Sequence, residues 1–216
     1  MMLEFKVRRS WMIIKRVVDF IGSLFGLIIL FPLFILIGVA IKLDSKGPIF
    51  FKQDRLGKDG QVFKIYKFRT MVQNAEDKGS GLFTSKGDPR ITKVGKFLRK
   101  TSLDELPQLI NVIKGEMSLV GPRPPVPYHP YEYNEYSEEQ KLRFCVLPGI
   151  TGYAQIKGRN HLSWDSRIEK DIWYVRNYSI FLDIRIILFT FKKVFCGNND
   201  IYLTKEAKEE NKKLQG

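Results

Sequence analysis

Between Phe20 and Ile41 the chain reads FIGSLFGLIILFPLFILIGVAI, 22 residues without a single charge. About 20 consecutive apolar residues make a helix long enough to cross the hydrocarbon of a bilayer, so a membrane helix is the first constraint on the fold. Arg8, Arg9, Lys15 and Arg16 precede the run as they would a secretory leader. The run is too long for that, however, and no small-residue cleavage site follows it. Pro32 sits mid-run, where it removes one backbone donor and clashes with the preceding turn, so a bend is predicted there. Lys42, Lys46, Lys52 and Arg55 follow the run, which places positive charge at both ends. The positive-inside rule therefore assigns no direction to a span, and it fits a re-entrant hairpin with both ends on the cytoplasmic side. At this level the hairpin and the straight span both stand.

The net charge of +13 is uneven: residues 1–103 hold 20 Lys/Arg against 8 Asp/Glu, and residues 104–216 hold 16 against 15. A basic first half attracts anionic lipid, nucleotide phosphate or nucleic acid, and charge alone does not choose among them. Cys145 and Cys196 form no C-x-x-C pair and read as free thiols. With His129 and His161 the only histidines, and without P-loop, H-E-x-x-H or G-x-S-x-G signatures, chemistry falls to carboxylates and basic groups.

Three parts are expected: a basic N-terminus with the membrane hairpin (1–46), a catalytic domain (47–200) and a polar tail (201–216) read as solvated helix or disorder. The domain reads as α+β, mainly helical with one small β-hairpin. Residues 48–53 and 61–68 alternate apolar and polar around a turn with Gly57 and Asp59-Gly60, which puts Lys64 and Tyr66 on one face and Ile65 and Lys67 on the other. Residues 74–90 read as a loop. Helices are predicted over 91–100 and 105–114, the second opened by a Ser102/Glu105 capping box with Pro107 in its first turn. Residues 121–127, GPRPPVP, make a stiff loop. Ile184, Ile187, Leu188, Phe191, Val194 and Phe195 recur at helical spacing, as in a core helix or a basic amphipathic helix lying at the interface.

Asp104 and Glu105 are adjacent acids at a helix start, and favourable interaction with the helix dipole, about 0.3 to 1 kcal/mol each, already accounts for such a pair. Successive helical residues point about 100° apart, however, so one carboxylate could attack while its neighbour holds a metal. Carboxylates accept phosphoryl groups when a divalent ion neutralises the phosphate oxygens. Arg123, pre-ordered by its flanking prolines, is a candidate phosphate clamp, with Lys67, Arg69 and Arg99 as further candidates.

KRVVDF (15–20), KIYKFRTM (64–71), SLDELPQLINVIKGEMSLVGPRP (102–124), PGITGYAQIKGRN (148–160) and the stretch from Trp164 to Phe189 together resemble the bacterial sugar transferases, small monotopic phosphoglycosyl transferases that initiate glycan assembly on polyprenyl phosphate at the cytoplasmic face of the inner membrane. The resemblance implies a UDP-sugar donor, release of UMP, a sugar-phosphate enzyme intermediate, and undecaprenyl (polyprenyl) phosphate as acceptor, with membrane lipids as surroundings and no nucleic acid. It implies Asp104 as nucleophile, Glu105 as the Mg2+-associated carboxylate, Lys67, Arg99 and Arg123 as basic site residues, and Gln155, Arg159 and Asn160 as donor-binding residues. The family's re-entrant helix breaks at a proline, usually after serine; here the pair is Phe31-Pro32. Leu147 stands before Pro148 where relatives often carry a basic residue. The run GRN-x-x-SW at 158–164 is similar to relatives that use N-acetylated amino sugars, and the chain reads as a minimal catalytic core. A non-catalytic, membrane-anchored binder of anionic lipid or nucleic acid is the alternative that charge alone would support.

Overall fold

A computed structural model describes residues 9–75, 87–158 and 162–195. Helix α1 spans Arg9–Asp44, 36 residues or about 54 Å at 1.5 Å per residue. It runs as one helical element through Pro32, the position at which a bend was predicted. One side lies along the rest of the protein; the other leaves Ile14, Ile21, Phe25, Ile28, Leu36 and Leu43 exposed. Water-soluble proteins rarely expose an apolar face of that extent. By length and composition α1 could cross a membrane.

Both ends of α1 are fastened to the same body. Near its start, Arg16 donates to the Val112 and Ile113 carbonyls at 2.6 and 3.1 Å, and Lys15 donates to Asp183 at 2.7 Å. Asp19 accepts from the Ser118 hydroxyl at 2.7 Å. At its end, the Asp44 carboxylate accepts from the Val94 backbone at 2.8 Å, and Ile37 and Ile41 pack with Phe68 and Leu98. Full burial of side chains of this size contributes about 1.5 to 3 kcal/mol each. The chain then turns at Gly47, whose φ of +122° disfavours a side chain, with Arg69 packed against the position a Cβ would take.

Strands β1 (Phe50–Leu56) and β2 (Val62–Phe68) form the predicted antiparallel hairpin, with Phe50 opposite Phe68 and Leu56 opposite Val62. The alternation holds: Ile65 is buried and Lys67 shares its face, whereas Lys64 pairs with Asp54 in the open. Helix α2 (Lys93–Thr101) is capped by the Thr92 hydroxyl and lies so close to β2's exit that a Cβ on Gly95 would meet the Thr70 carbonyl. Helix α3 (Gln108–Lys114) follows Pro107. Strands β3 (Ser118–Val120) and β4 (Gly149–Thr151) pair in parallel, joined through short helix α4 (Glu138–Lys141). Helices α5 (Tyr153–Lys157), α6 (Trp164–Arg176) and α7 (Ile180–Phe195) complete the described chain. The helix predicted from Ile184 onward exists, but its core face carries Asp183 and Ile186, and Ile184, Leu188 and Phe191 face outward. Tail residues 201–216 lie outside the described residues.

Candidate active site

Residues 103–105 form a 3₁₀ turn between α2 and α3, entered through Ser102 in the left-handed region at φ 58°. The predicted capping box is replaced: Ser102 ends α2 and makes no side-chain cap, and Glu105 turns away from the helix. Glu105 Oε1 accepts from Lys67 Nζ at 2.8 Å and from Arg123 Nη2 at 2.6 Å, and Oε2 accepts from Arg123 Nη1 at 3.3 Å. The Arg123 fork is the two-point geometry that the stiff loop pre-orders. Asp104 is buried beside this cluster at 9% exposure. Arg99 reaches the same cleft and donates to the Thr70 hydroxyl at 2.8 Å.

The two acids are driven apart electrostatically. Burial pushes the Asp104 carboxyl up to about 6 against the pull of Lys67, and the Glu105 charge adds to the rise. Burial would raise Glu105 too, but Arg123 and Lys67 outweigh it and hold that carboxyl well below the usual range. Burial lowers Lys67 despite Glu105, and Glu105 raises Arg123. Glu105 is thus a fixed anion, while Asp104 is a desolvated carboxylate that still ionises at neutral pH.

Asn111 positions this cluster and was not singled out by motif reading. Fully buried on α3, it accepts from the Tyr66 backbone at 2.9 Å and donates to the Lys64 carbonyl at 2.8 Å and to Glu116 at 2.7 Å. Those bonds fasten β2, which carries Lys67, to the helix that follows Asp104 and Glu105.

Asp104, Glu105, Lys67, Arg99, Arg123 and Gln155 all line one open cleft of about 1280 Å³. Its walls continue over Leu30 of α1 and over Ile187 and Phe191 of α7. Among the described residues no group of three or more His, Cys, Asp or Glu is arranged around a metal position. Asp104 and Glu105 are the carboxylates in the cleft that could hold a Mg2+ ion, which is commonly bound through one or two carboxylates together with substrate phosphates and water. With Lys67 and Arg123 already on Glu105, an added cation is favourable only alongside an anionic ligand.

Residues 10–197 match the family model described as bacterial sugar transferase. The chain belongs to the bacterial sugar transferase family. It is 46% identical over 192 residues to the uncharacterized sugar transferase EpsL of Bacillus subtilis, covering 86% of this chain and 89% of that one. It is 47% identical over 194 residues to a UDP-glucose:undecaprenyl-phosphate glucose-1-phosphate transferase of Klebsiella pneumoniae, covering 87% and 41%. It is 40% identical over 187 residues to a UDP-N-acetylgalactosamine-undecaprenyl-phosphate N-acetylgalactosaminephosphotransferase of Aeromonas hydrophila, covering 85% and 44%. The chain thus spans less than half the length of the latter two.

In this sugar transferase the predicted site residues fall into four groups. Asp104, Glu105, Lys67, Arg99 and Arg123 converge. Gln155 lies on the cleft wall beside β4, its amide 3.5 Å from the Ile150 carbonyl. Arg69 lines the same cleft, while its guanidinium donates to the Lys46 carbonyl, to the Ser45 carbonyl at 2.7 Å and to the Ile41 carbonyl at 3.5 Å, closing the C-terminal end of α1. Arg159 and Asn160 lie outside the described residues.

Proposed function

We propose that this chain transfers a sugar 1-phosphate from a UDP-sugar to polyprenyl phosphate, releasing UMP. The observation that carries the reading is a buried Asp104 beside a Glu105 held by Lys67 and Arg123, in a cleft that continues onto α1 and α7. The Asp104 carboxylate attacks the phosphorus bonded to the sugar; an oxygen–phosphorus bond forms, the bond from that phosphorus to the bridging oxygen breaks, and UMP leaves. An oxygen of polyprenyl phosphate then attacks the same phosphorus, Asp104 departs as a carboxylate, and polyprenyl diphosphate sugar is formed. Lys67, Arg99 and Arg123 counter the charge of the diphosphate. Mg2+ bound through Glu105 supplies neutralisation of phosphate oxygens and polarisation of phosphorus. Glycan assembly would begin with this product.

The topology we propose is monotopic. Arg16 and Asp44, near opposite ends of α1, contact the same globular body, which supports both ends lying at one face of the membrane. Pro32 then marks the deepest point, since its missing donor relaxes the helix there. Exposed Leu188 and Phe191 on α7 would rest at the interface of the same leaflet. Cysteines placed before Lys15 and after Lys46 should both be labelled from the cytoplasmic side of the inner membrane. Labelling from opposite sides refutes the monotopic arrangement.

The catalytic test is UMP release from a panel of UDP-sugars with Mg2+ and undecaprenyl phosphate. Wild type should release UMP from one donor and form a covalent sugar-phosphate adduct, and Asp104→Asn should do neither. Release from no donor, or equal rates in both proteins, defeats the assignment. Relatives named for glucose and for N-acetylgalactosamine match at similar identity, so the panel includes both; on the 158–164 run we favour an N-acetylated amino sugar.

A further inference from the structure

The cleft walls are of two chemical kinds. Toward α1 and α7 they are apolar, with Leu30, Leu109, Leu119, Ile187 and Phe191. Along α6 and the segment after Arg123 they are aromatic and polar, with His129, Arg143, Trp164, Arg167 and Asp171. An isoprenoid leaving the membrane suits the first wall, and the second has no role in the chemistry assigned above.

Trp164, Arg167 and Asp171 are spaced by three and four residues, so they form one stripe on α6. Ile168 and Ile172 take the core-facing side of the same helix. The Arg167 guanidinium lies 4.7 Å from the Trp164 ring centroid, and His129 meets that indole edge-on at 5.2 Å. Beside the stripe, Arg143 Nη2 donates to Asp171 Oδ2 at 2.7 Å and to the Arg123 carbonyl at 3.0 Å, which ties this wall to the phosphate clamp. Asp171 Oδ1 is buried without a hydrogen-bond partner, and Arg143 Nε and Nη1 are buried with the Tyr136 hydroxyl close to the guanidinium. Orphaned buried polar groups are rare and unfavourable, which makes leftover polar atoms on residues lining the same cleft as Trp164 a recognition feature.

We infer that this wall binds the nucleoside of the uridine nucleotide, with the base against Trp164 and its imide edge toward the Arg143–Asp171 pair. Uracil offers one N–H donor between two carbonyl acceptors, the complement of the leftover acceptor and donors. An indole provides stacking that any base can use, and the charged pair provides the choice among bases. The diphosphate then extends past Arg123 to Asp104, and the sugar and the isoprenoid meet on the far side of the reacting phosphorus. The inference rests on the transferase reading for the identity of the nucleotide.

The experiment measures UMP affinity by calorimetry on purified full chain in lipid nanodiscs, for wild type, Trp164→Leu, His129→Ala and Asp171→Asn, with circular dichroism to confirm the fold. Trp164→Leu should weaken UMP about 5- to 150-fold, the range of one lost base–aromatic stack. His129→Ala should weaken it less. Wild type should prefer UMP to AMP and CMP, and Asp171→Asn should erase most of that preference. Unchanged UMP affinity in folded Trp164→Leu overturns the site, as does wild type that fails to bind UMP. Weakened binding of N-acetylglucosamine 1-phosphate instead of UMP in Trp164→Leu also overturns it, by making the wall a sugar pocket. The two readings fail separately: UMP binding at Trp164 without UMP release from any donor defeats the transferase reading alone, and normal turnover in Trp164→Leu defeats the nucleoside site alone.

Discussion

Removing Asp171 while leaving Arg143 should be among the most damaging single changes in the globular body. Arg143 Nη2 and Asp171 Oδ2 stand 2.7 Å apart, with side chains only 1% and 2% exposed. Coulomb attraction at that distance is about 6 kcal/mol at an effective dielectric near 20, and most of it offsets the desolvation of the two charges. Asp171→Ala forfeits the attraction and keeps the guanidinium's desolvation, so a loss of about 3 to 5 kcal/mol is expected. At roughly 2 to 4 °C per kcal/mol for a chain of this size, the apparent melting temperature should fall by about 6 to 20 °C. Arg143→Met with Asp171→Leu removes both charges and should recover most of that loss, because an apolar replacement of a buried pair is often neutral or better. Intrinsic fluorescence melting of the purified protein reads all of these. Asp171→Ala melting within about 2 °C of wild type would refute the reasoning, as would a double variant no more stable than the single one. The double variant carries a second expectation: it loses the bond to the Arg123 carbonyl, so UMP release should drop even where melting recovers.

Arg123→Lys keeps the charge but loses the fork on Glu105. One charge-assisted hydrogen bond of about 1.5 to 3 kcal/mol corresponds to a fall of roughly 10- to 150-fold in kcat/KM for UMP release, and a change under about twofold would show that the fork is not used. Asp88 offers a pH test. Hydrogen bonds from Arg90 hold its carboxyl below the usual range against the effect of burial, so its stabilisation is present above about pH 4 and is lost as pH falls through the lowered value. Asp88→Asn should therefore melt below wild type at pH 7 and approach it near pH 3; an equal deficit at both pH values would mean the charge is not what matters.

Local pattern determined a good deal by itself. An uncharged run of 22 residues can only be a long apolar helix, and alternation over 61–68 sets Lys67 on the same face as Ile65, because side-chain direction along a strand depends on nothing beyond parity. The adjacency of Asp104 and Glu105 was equally visible, as was the stiffness of the Arg123 loop. Their use was not. Read locally, Glu105 caps a helix; in the fold it accepts from Lys67, 38 residues away, and Arg123, 18 residues away, because two cations a few ångströms off outweigh a backbone cap worth about 1 kcal/mol. The three-residue strands β3 and β4 are too short to show a period, and they pair only because the intervening chain returns Gly149 to Ser118. On α7 the helical spacing was legible, yet which face meets the protein was decided by distant partners: Asp183 accepts from Lys15 and Tyr174, and Ile186 is buried in a cluster with Val120 and Val175, which leaves Ile184 and Leu188 exposed. Period is a property of neighbours in the chain; partners are chosen by the packing of segments far apart in it, and only the tertiary structure brings those segments together.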